Sequence, residues 1–159
     1  IRNAKRVLDV FRRLKLPVFQ IKEVHRADMV DFGRELDGSE GVHCIETLPE
    51  TDYAKLTYPI EGEYLISKRR YSAFFGTDLE ILLRGLHVDT LYMIGGFTDV
   101  CVHYTAVDAH QYDYHIRVAR DAVTGSSREA HEYALRAIQY LQRDALVTVE
   151  DIESATLAD

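Results

Sequence analysis

Apolar positions along the chain recur with two periods, and the alternation between them predicts the architecture. Ala4, Val7, Leu8, Phe11 and Leu14 fall at helical spacing across Asn3 to Leu14, with arginine and lysine on the other face, which predicts an amphipathic helix. Pro17 stops it, and Val18-Phe19-Gln20-Ile21 reads as a buried strand. Further short apolar strands are expected at Tyr64–Ile66, Leu91–Ile94, Ile116–Ala119 and Leu146–Val149. Between them lie helical patterns. Leu79, Leu82, Leu83 and Leu86 form one stripe, preceded by Thr77 and Glu80 at capping-box spacing. A second helix is expected from Thr98 and Asp99, the residues able to cap it, to about Tyr112. A third starts at Ser126 with Glu129 and carries Ala130, Tyr133, Ala134, Ala137, Ile138 and Leu141, and a short acidic helix closes the chain.

Regular alternation of apolar strands with helices of about ten residues predicts an α/β fold: an open parallel sheet covered by helices on both faces, three layers in all. Right-handed crossovers then bring every strand's carboxyl end to one edge of the sheet, where ligands bind in folds of this class. Lys68 and Cys101 both lie just past such ends. From His25 to about Pro59 the pattern breaks into short apolar pieces punctuated by Asp, Gly and Pro, a long loop of the kind that often carries function.

Composition narrows the function. At 159 residues the chain makes a single domain with a sizeable core. Its 26 acidic against 19 basic side chains, a formal charge of -7, leave no basic stripe for phosphates, so nucleic acid is not an expected partner. No apolar run approaches a membrane span. Cys44 and Cys101 stand far apart and outside any Cys-x-x-Cys pair, which points to a reducing compartment, the cytoplasm.

The chemistry concentrates after the strand Leu91–Ile94. Gly95-Gly96 ends it, and Cys101 follows in the first helical turn, where unpaired N–H groups and the helix dipole favour a thiolate. By its local pattern Cys101 is either a nucleophile or a small packing residue. The glycine pair lacks the third glycine of a dinucleotide fingerprint. Lys68, beside Arg69 and Arg70, is either part of a solvated basic cluster or an ammonium that lowers the Cys101 pKa. Backbone N–H groups at Phe97 and Cys101 suit an oxyanion hole, and the set suits acyl transfer at an amide or carbamoyl carbon, although it shows no obvious carboxylate base. Glu23 and His25, two apart at a strand end, face one side as metal ligands do, with Asp31 nearby. His43 adjoins Cys44, but no third and fourth ligand stands at recognisable spacing, so no metal and no cofactor are expected. His103 and His110 read as packing or surface groups, and Cys44 as the lesser nucleophile candidate.

The segments Ser67-Lys68-Arg69-Arg70-Tyr71-Ser72-Ala73-Phe74-Phe75-Gly76-Thr77-Asp78-Leu79 and Gly95-Gly96-Phe97-Thr98-Asp99-Val100-Cys101-Val102-His103-Tyr104-Thr105-Ala106-Val107-Asp108-Ala109 together resemble the isochorismatase-like cysteine hydrolases. That superfamily includes N-carbamoylsarcosine amidohydrolase, biuret hydrolase and nicotinamidase. The resemblance runs from the first helix to about Val149. It implies a Rossmann-like sheet of six parallel strands, an Asp, Lys and Cys triad in which Lys68 and Cys101 take two places, and a cis peptide at Gly96–Phe97.

In such proteins the aspartate ends a strand that precedes the first helix. This sequence begins at that helix, so the resemblance implies that a strand and the aspartate lie outside it. Glu23-Val24-His25 departs from the Asp-x-His of nicotinamidases and leans toward metal-free amide and carbamoyl hydrolases. Cys101 argues against the vinyl-ether hydrolases acting on isochorismate, which lack the nucleophile. The implied activity is hydrolysis of a small amide, ureido or N-carbamoyl substrate through a thioester. The alternatives are a redox-sensing binding domain on the same fold or a metal-assisted nicotinamidase-type enzyme. Arg70, Tyr71, Phe74 and Tyr104 are the candidate substrate contacts, and a homodimer or homotetramer is expected.

Overall fold

The computed structural model describes residues 1–155, and within them the alternating pattern becomes five parallel strands and five α-helices. The order is α1 (Arg2–Arg13), β1 (Phe19–Glu23), β2 (Tyr64–Lys68), α2 (Leu79–Gly85), β3 (Thr90–Gly96), α3 (His103–Gln111), β4 (His115–Thr124), α4 (Arg128–Leu141), β5 (Leu146–Val147) and α5 (Val149–Ala155). The β1–β2 connection holds 3₁₀ turns at Gly33–Asp37, Pro49–Thr51 and Lys55–Thr57 and a parallel bridge between His25 and Ile45. No helix among the described residues is long and apolar enough to cross a membrane.

All strand pairs are parallel, which forces long crossovers and collects the strand carboxyl ends at one edge. β4 contributes to two cores, and its pattern changes at the register shift between Val118 and Val123. Ile116 and Val118 pack with Leu83 of α2, Ala106 and Ala109 of α3, and Leu135 and Ile138 of α4. Ala119 and Ala122 instead meet Val7 and Val10 of α1 and Val149 and Ile152 of α5. Helices therefore cover both faces, as the apolar pattern predicts.

The strands form two hydrogen-bonded sheets, β1–β2 and β3–β4–β5, where the family resemblance implied one sheet of six. The difference lies at β1 and β3, each of which pairs on one side only. Ile116 and Val118, in the doubly paired β4, are fully buried, whereas Leu91, Met93 and Ile94 of β3 are half-buried and Tyr92 is exposed. Three expected caps also differ. Asp78, not Thr77, precedes α2, and Thr77 Oγ1 accepts from Leu79 N and donates to Ala73 O, so no capping box forms. Ser127 rather than Ser126 caps α4, accepting from Ala130 N. Thr98 and Asp99 lie inside a π-helical turn, Thr98–Val102, whose N-cap Phe97 makes no side-chain cap bond.

Ile138 has no exposed surface and sits between α4 and β4. Its truncation leaves a cavity the sheet cannot close, so Ile138→Ala should lower unfolding free energy by about 2–5 kcal/mol, read from urea denaturation at unchanged m-value.

Candidate active site

Register builds the site. Glu23 and Lys68 are partners at the last rung of the β1–β2 ladder, so their side chains leave one face of the sheet at its carboxyl edge. Cys101 comes to the same place from the turn after β3, and the peptide between Gly96 and Phe97 is cis. Lys68 is buried; its Nζ pairs with Glu23 Oε2 and donates to Arg70 O at 2.8 Å and to Cys101 Sγ at 3.3 Å. Cys101 Sγ stands 3.6 Å from the same Glu23 oxygen, to which the thiol donates. One carboxylate, Glu23, thus contacts both Lys68 and Cys101. Spacing could not reveal it, because Glu23 and Lys68 meet only through strand pairing across the long loop.

Charges at this junction oppose the expected thiolate. Burial pushes the Cys101 thiol up, Lys68 pulls it down, Glu23 pushes it up again, and the net shift is upward. Placement in a helical turn does not overcome the desolvation. Glu23 behaves in the opposite sense: burial raises its carboxyl, but hydrogen bonds and charge from Lys68 and His43 outweigh that and hold it below the usual range.

A second cluster shares Glu23. Candidate ligand atoms of Glu23, His25, Glu35 and His43 all lie within 4.8 Å of one another. His25 is fully buried and stacked on Phe32 at 3.9 Å. Its Nε2 approaches Glu23 Oε1 to 3.6 Å and Glu35 Oε2 to 3.5 Å, yet neither ring nitrogen nor either Glu35 oxygen has a hydrogen-bond partner. His43 Nδ1 donates to the Gly41 carbonyl at 2.7 Å and Nε2 donates to Glu23 Oε1 at 2.9 Å, so both ring nitrogens carry protons; burial opposes the charge, but these two partners outweigh it and raise the imidazole's pKa. Burial together with repulsion from Glu23 raises the Glu35 carboxyl. Buried polar atoms left unpaired are costly, and two imidazoles with two carboxylates are a donor set that suits a divalent cation. Glu35 and His43 reach this cluster from the irregular loop, where no periodicity or ligand spacing marks them. Asp31 lies 3.5 Å from His25 Nδ1 through Oδ1, and also accepts from Arg69 Nε at 2.7 Å and from Arg26 N at 3.1 Å.

The substrate candidates separate. Arg70 is committed to the loop: its NH1 donates to Asp31 O at 2.6 Å and its NH2 fills the space where a Cβ on Gly33 would stand. Phe74 is a core residue packed on Tyr112 and Tyr114 rather than a site lining. Tyr71 stacks on Tyr104 at 5.5 Å, and Tyr104 and Phe97 are exposed. His103 stacks on Tyr104, and His110 contacts Gln142, so neither joins the Lys68–Cys101 contact.

A family model described as the isochorismatase domain matches residues 1–154. The chain is 29% identical over 186 residues to N-carbamoylsarcosine amidase from Arthrobacter sp, covering 100% of this chain and 67% of that protein. It is 46% identical over 72 residues to an isochorismatase family protein, PncA, from Bacillus subtilis, covering 45% of this chain and 39% of that one. Among curated relatives, several matches span only about 39% to 52% of the relative's own length. The structure also resembles that of the pyrazinamidase of Pyrococcus horikoshii in complex with zinc, with a TM-score of 0.76, 29% identity, and coverage of 93% of this chain and 87% of that one.

Because Glu23 both repels a thiolate and occupies Lys68, Glu23→Gln should lower the apparent pKa of Cys101. Iodoacetamide labelling of Cys101 at pH 7 should become several-fold faster, while Lys68→Met, which removes the compensating cation, should slow it. An identical labelling profile in all three proteins would show that these contacts do not control the thiol.

Proposed function

Since the chain belongs to the isochorismatase family, we propose that it is a cysteine-dependent amidohydrolase acting on a small amide, ureido or N-carbamoyl substrate. The observation that carries this reading is the contact of Lys68 Nζ with Cys101 Sγ at 3.3 Å, with Glu23 Oε2 touching both. The similarity to N-carbamoylsarcosine amidase supports it.

In this reading Glu23 takes the thiol proton as Cys101 Sγ attacks the carbonyl carbon. The resemblance gives that role to an aspartate outside this sequence; the contacts of Glu23 Oε2 with Lys68 and Cys101 support giving it to Glu23 here. Its lowered pKa keeps it ionised at neutral pH, ready to accept. The raised thiol pKa means that little free thiolate accumulates, so proton transfer accompanies attack. Backbone N–H groups of Phe97 and Cys101, with the Lys68 ammonium, balance charge on the tetrahedral oxygen. The C–N bond breaks as protonated Glu23 returns its proton to the departing nitrogen, leaving a thioester on Cys101. Water then attacks the thioester carbon, gives its proton to Glu23, and the acid leaves as Sγ recovers a proton.

The unpaired buried atoms of His25 and Glu35 favour the metal-assisted form of this reading. Glu23 Oε1, His25, Glu35 and His43 would hold a divalent cation such as zinc, leaving Glu23 Oε2 toward Lys68 and Cys101. When bound, the ion would supply Lewis acidity toward a substrate carbonyl.

Ammonia release over a panel of small amides, ureas and N-carbamoyl acids should be at least about 10³-fold slower in Cys101→Ala; equal turnover by parent and variant would sink the assignment. For the metal, zinc added to chelator-treated protein at about 100 times its dissociation constant should stabilise the fold by about 2.7 kcal/mol. His25→Ala should abolish that gain, and a melting temperature indifferent to zinc would remove the metal-assisted reading.

A further inference from the structure

Thr98 and Asp99, the two residues positioned to cap the helix of the nucleophile, bond elsewhere instead. Thr98 is fully buried, and its Oγ1 lies 2.9 Å from His131 Nδ1 on α4. Asp99 accepts from Ser126 N at 2.8 Å and from Ser126 Oγ at 2.5 Å. Gly125 fits between these partners because it has no side chain: a Cβ there would stand 2.7 Å from Asp99 Oδ1 and 2.7 Å from His131 Cβ. One residue earlier, Gly96 pairs with Thr124, and a Cβ on Gly96 would meet Thr124 O at 3.2 Å. Three positions leading to Cys101, namely Gly96, Thr98 and Asp99, are thus fastened to one segment, Thr124 to His131.

The turn's own hydrogen bonds are made by backbone, with His103 N donating to the Thr98 carbonyl, and Val102 seats its far end in the core. Val100 N and Val102 N both converge on the Phe97 carbonyl, at 3.2 and 3.1 Å, and no side chain caps it. We propose that His131 is a positioning residue for catalysis: through the buried Thr98 hydroxyl it fixes the turn that carries the Phe97 and Cys101 N–H groups and the Cys101 sulfur. The inference rests on the amidohydrolase reading. His131 touches none of the reacting groups, and α4 is anchored separately by Ala134, Leu135 and Ile138, all buried. Loss of the imidazole therefore leaves the helix seated and loosens the turn at Thr98, while Ser126 still holds Asp99. Misplacement of a catalytic group by about 1 Å can cost on the order of 10²-fold in rate.

The test compares parent, His131→Ala, and His131→Asn, whose side-chain amide reaches the position of Nδ1. In the alanine variant, amide hydrogen exchange at residues 97–102 should accelerate at least about tenfold, with α1 and β4 unchanged. Its kcat for ammonia release should fall about 10- to 100-fold at nearly constant KM, and the asparagine variant should recover most of both effects. Unchanged exchange in the alanine variant overturns the proposal. So does faster exchange with kcat retained, or a loss spread over the whole chain that asparagine fails to rescue. If Cys101→Ala keeps full turnover, the amidohydrolase reading fails instead, and the exchange measurement alone decides whether His131 holds the turn.

Discussion

The ammonium of Lys68 is buried at the sheet edge, and an unpaired charge there would be strongly destabilising. Its neighbours follow from that need: Glu23 neutralises it, Arg70 O accepts a second hydrogen bond, and Cys101 Sγ takes the third direction. An ammonium has three N–H donors, and these contacts use all of them. Parallel pairing of β1 with β2 delivers Glu23 to Lys68 without any loop having to carry it. The crossover from β2 through α2 to β3 then brings Cys101 to the same edge.

Glu23 joins two chemical environments through its two oxygens. Oε2 faces Lys68 and Cys101, and Oε1 faces His43 and His25. The loop after β1 is folded back over the site by polar contacts rather than by a helix. His25 exchanges backbone hydrogen bonds with Cys44 and Glu46, and Arg69 and Arg70 both grip Asp31. A connection lacking an apolar stripe of its own is ordered by such bonds, and the orphaned atoms of His25 and Glu35 mark where its polar groups remain unmatched.

The nucleophile region shows how a local signal can be right about place and wrong about partner. Thr98 and Asp99 have the chemistry of helix caps, yet a hydroxyl or carboxylate takes whichever donor or acceptor the tertiary structure offers, here His131 for the buried Thr98 and Ser126 for the half-buried Asp99. The same competition moves the α4 cap from Ser126 to Ser127. Phe74 and Arg70 sit in the segment that resembles the family motif, but one belongs to the core and the other to the loop.

The sequence by itself determined the alternation of strands and helices, the sheet edge on which Lys68 and Cys101 lie, and the family resemblance, because apolar periodicity and strand-end motifs are local properties of a chain. Strand register, the conformation of an aperiodic loop and the depth of burial arise only when distant segments pack. For that reason tertiary structure alone decided that Glu23 is the carboxylate beside the thiol, that Glu35 and His43 join His25, and that Cys101 is held as a buried thiol with its pKa raised.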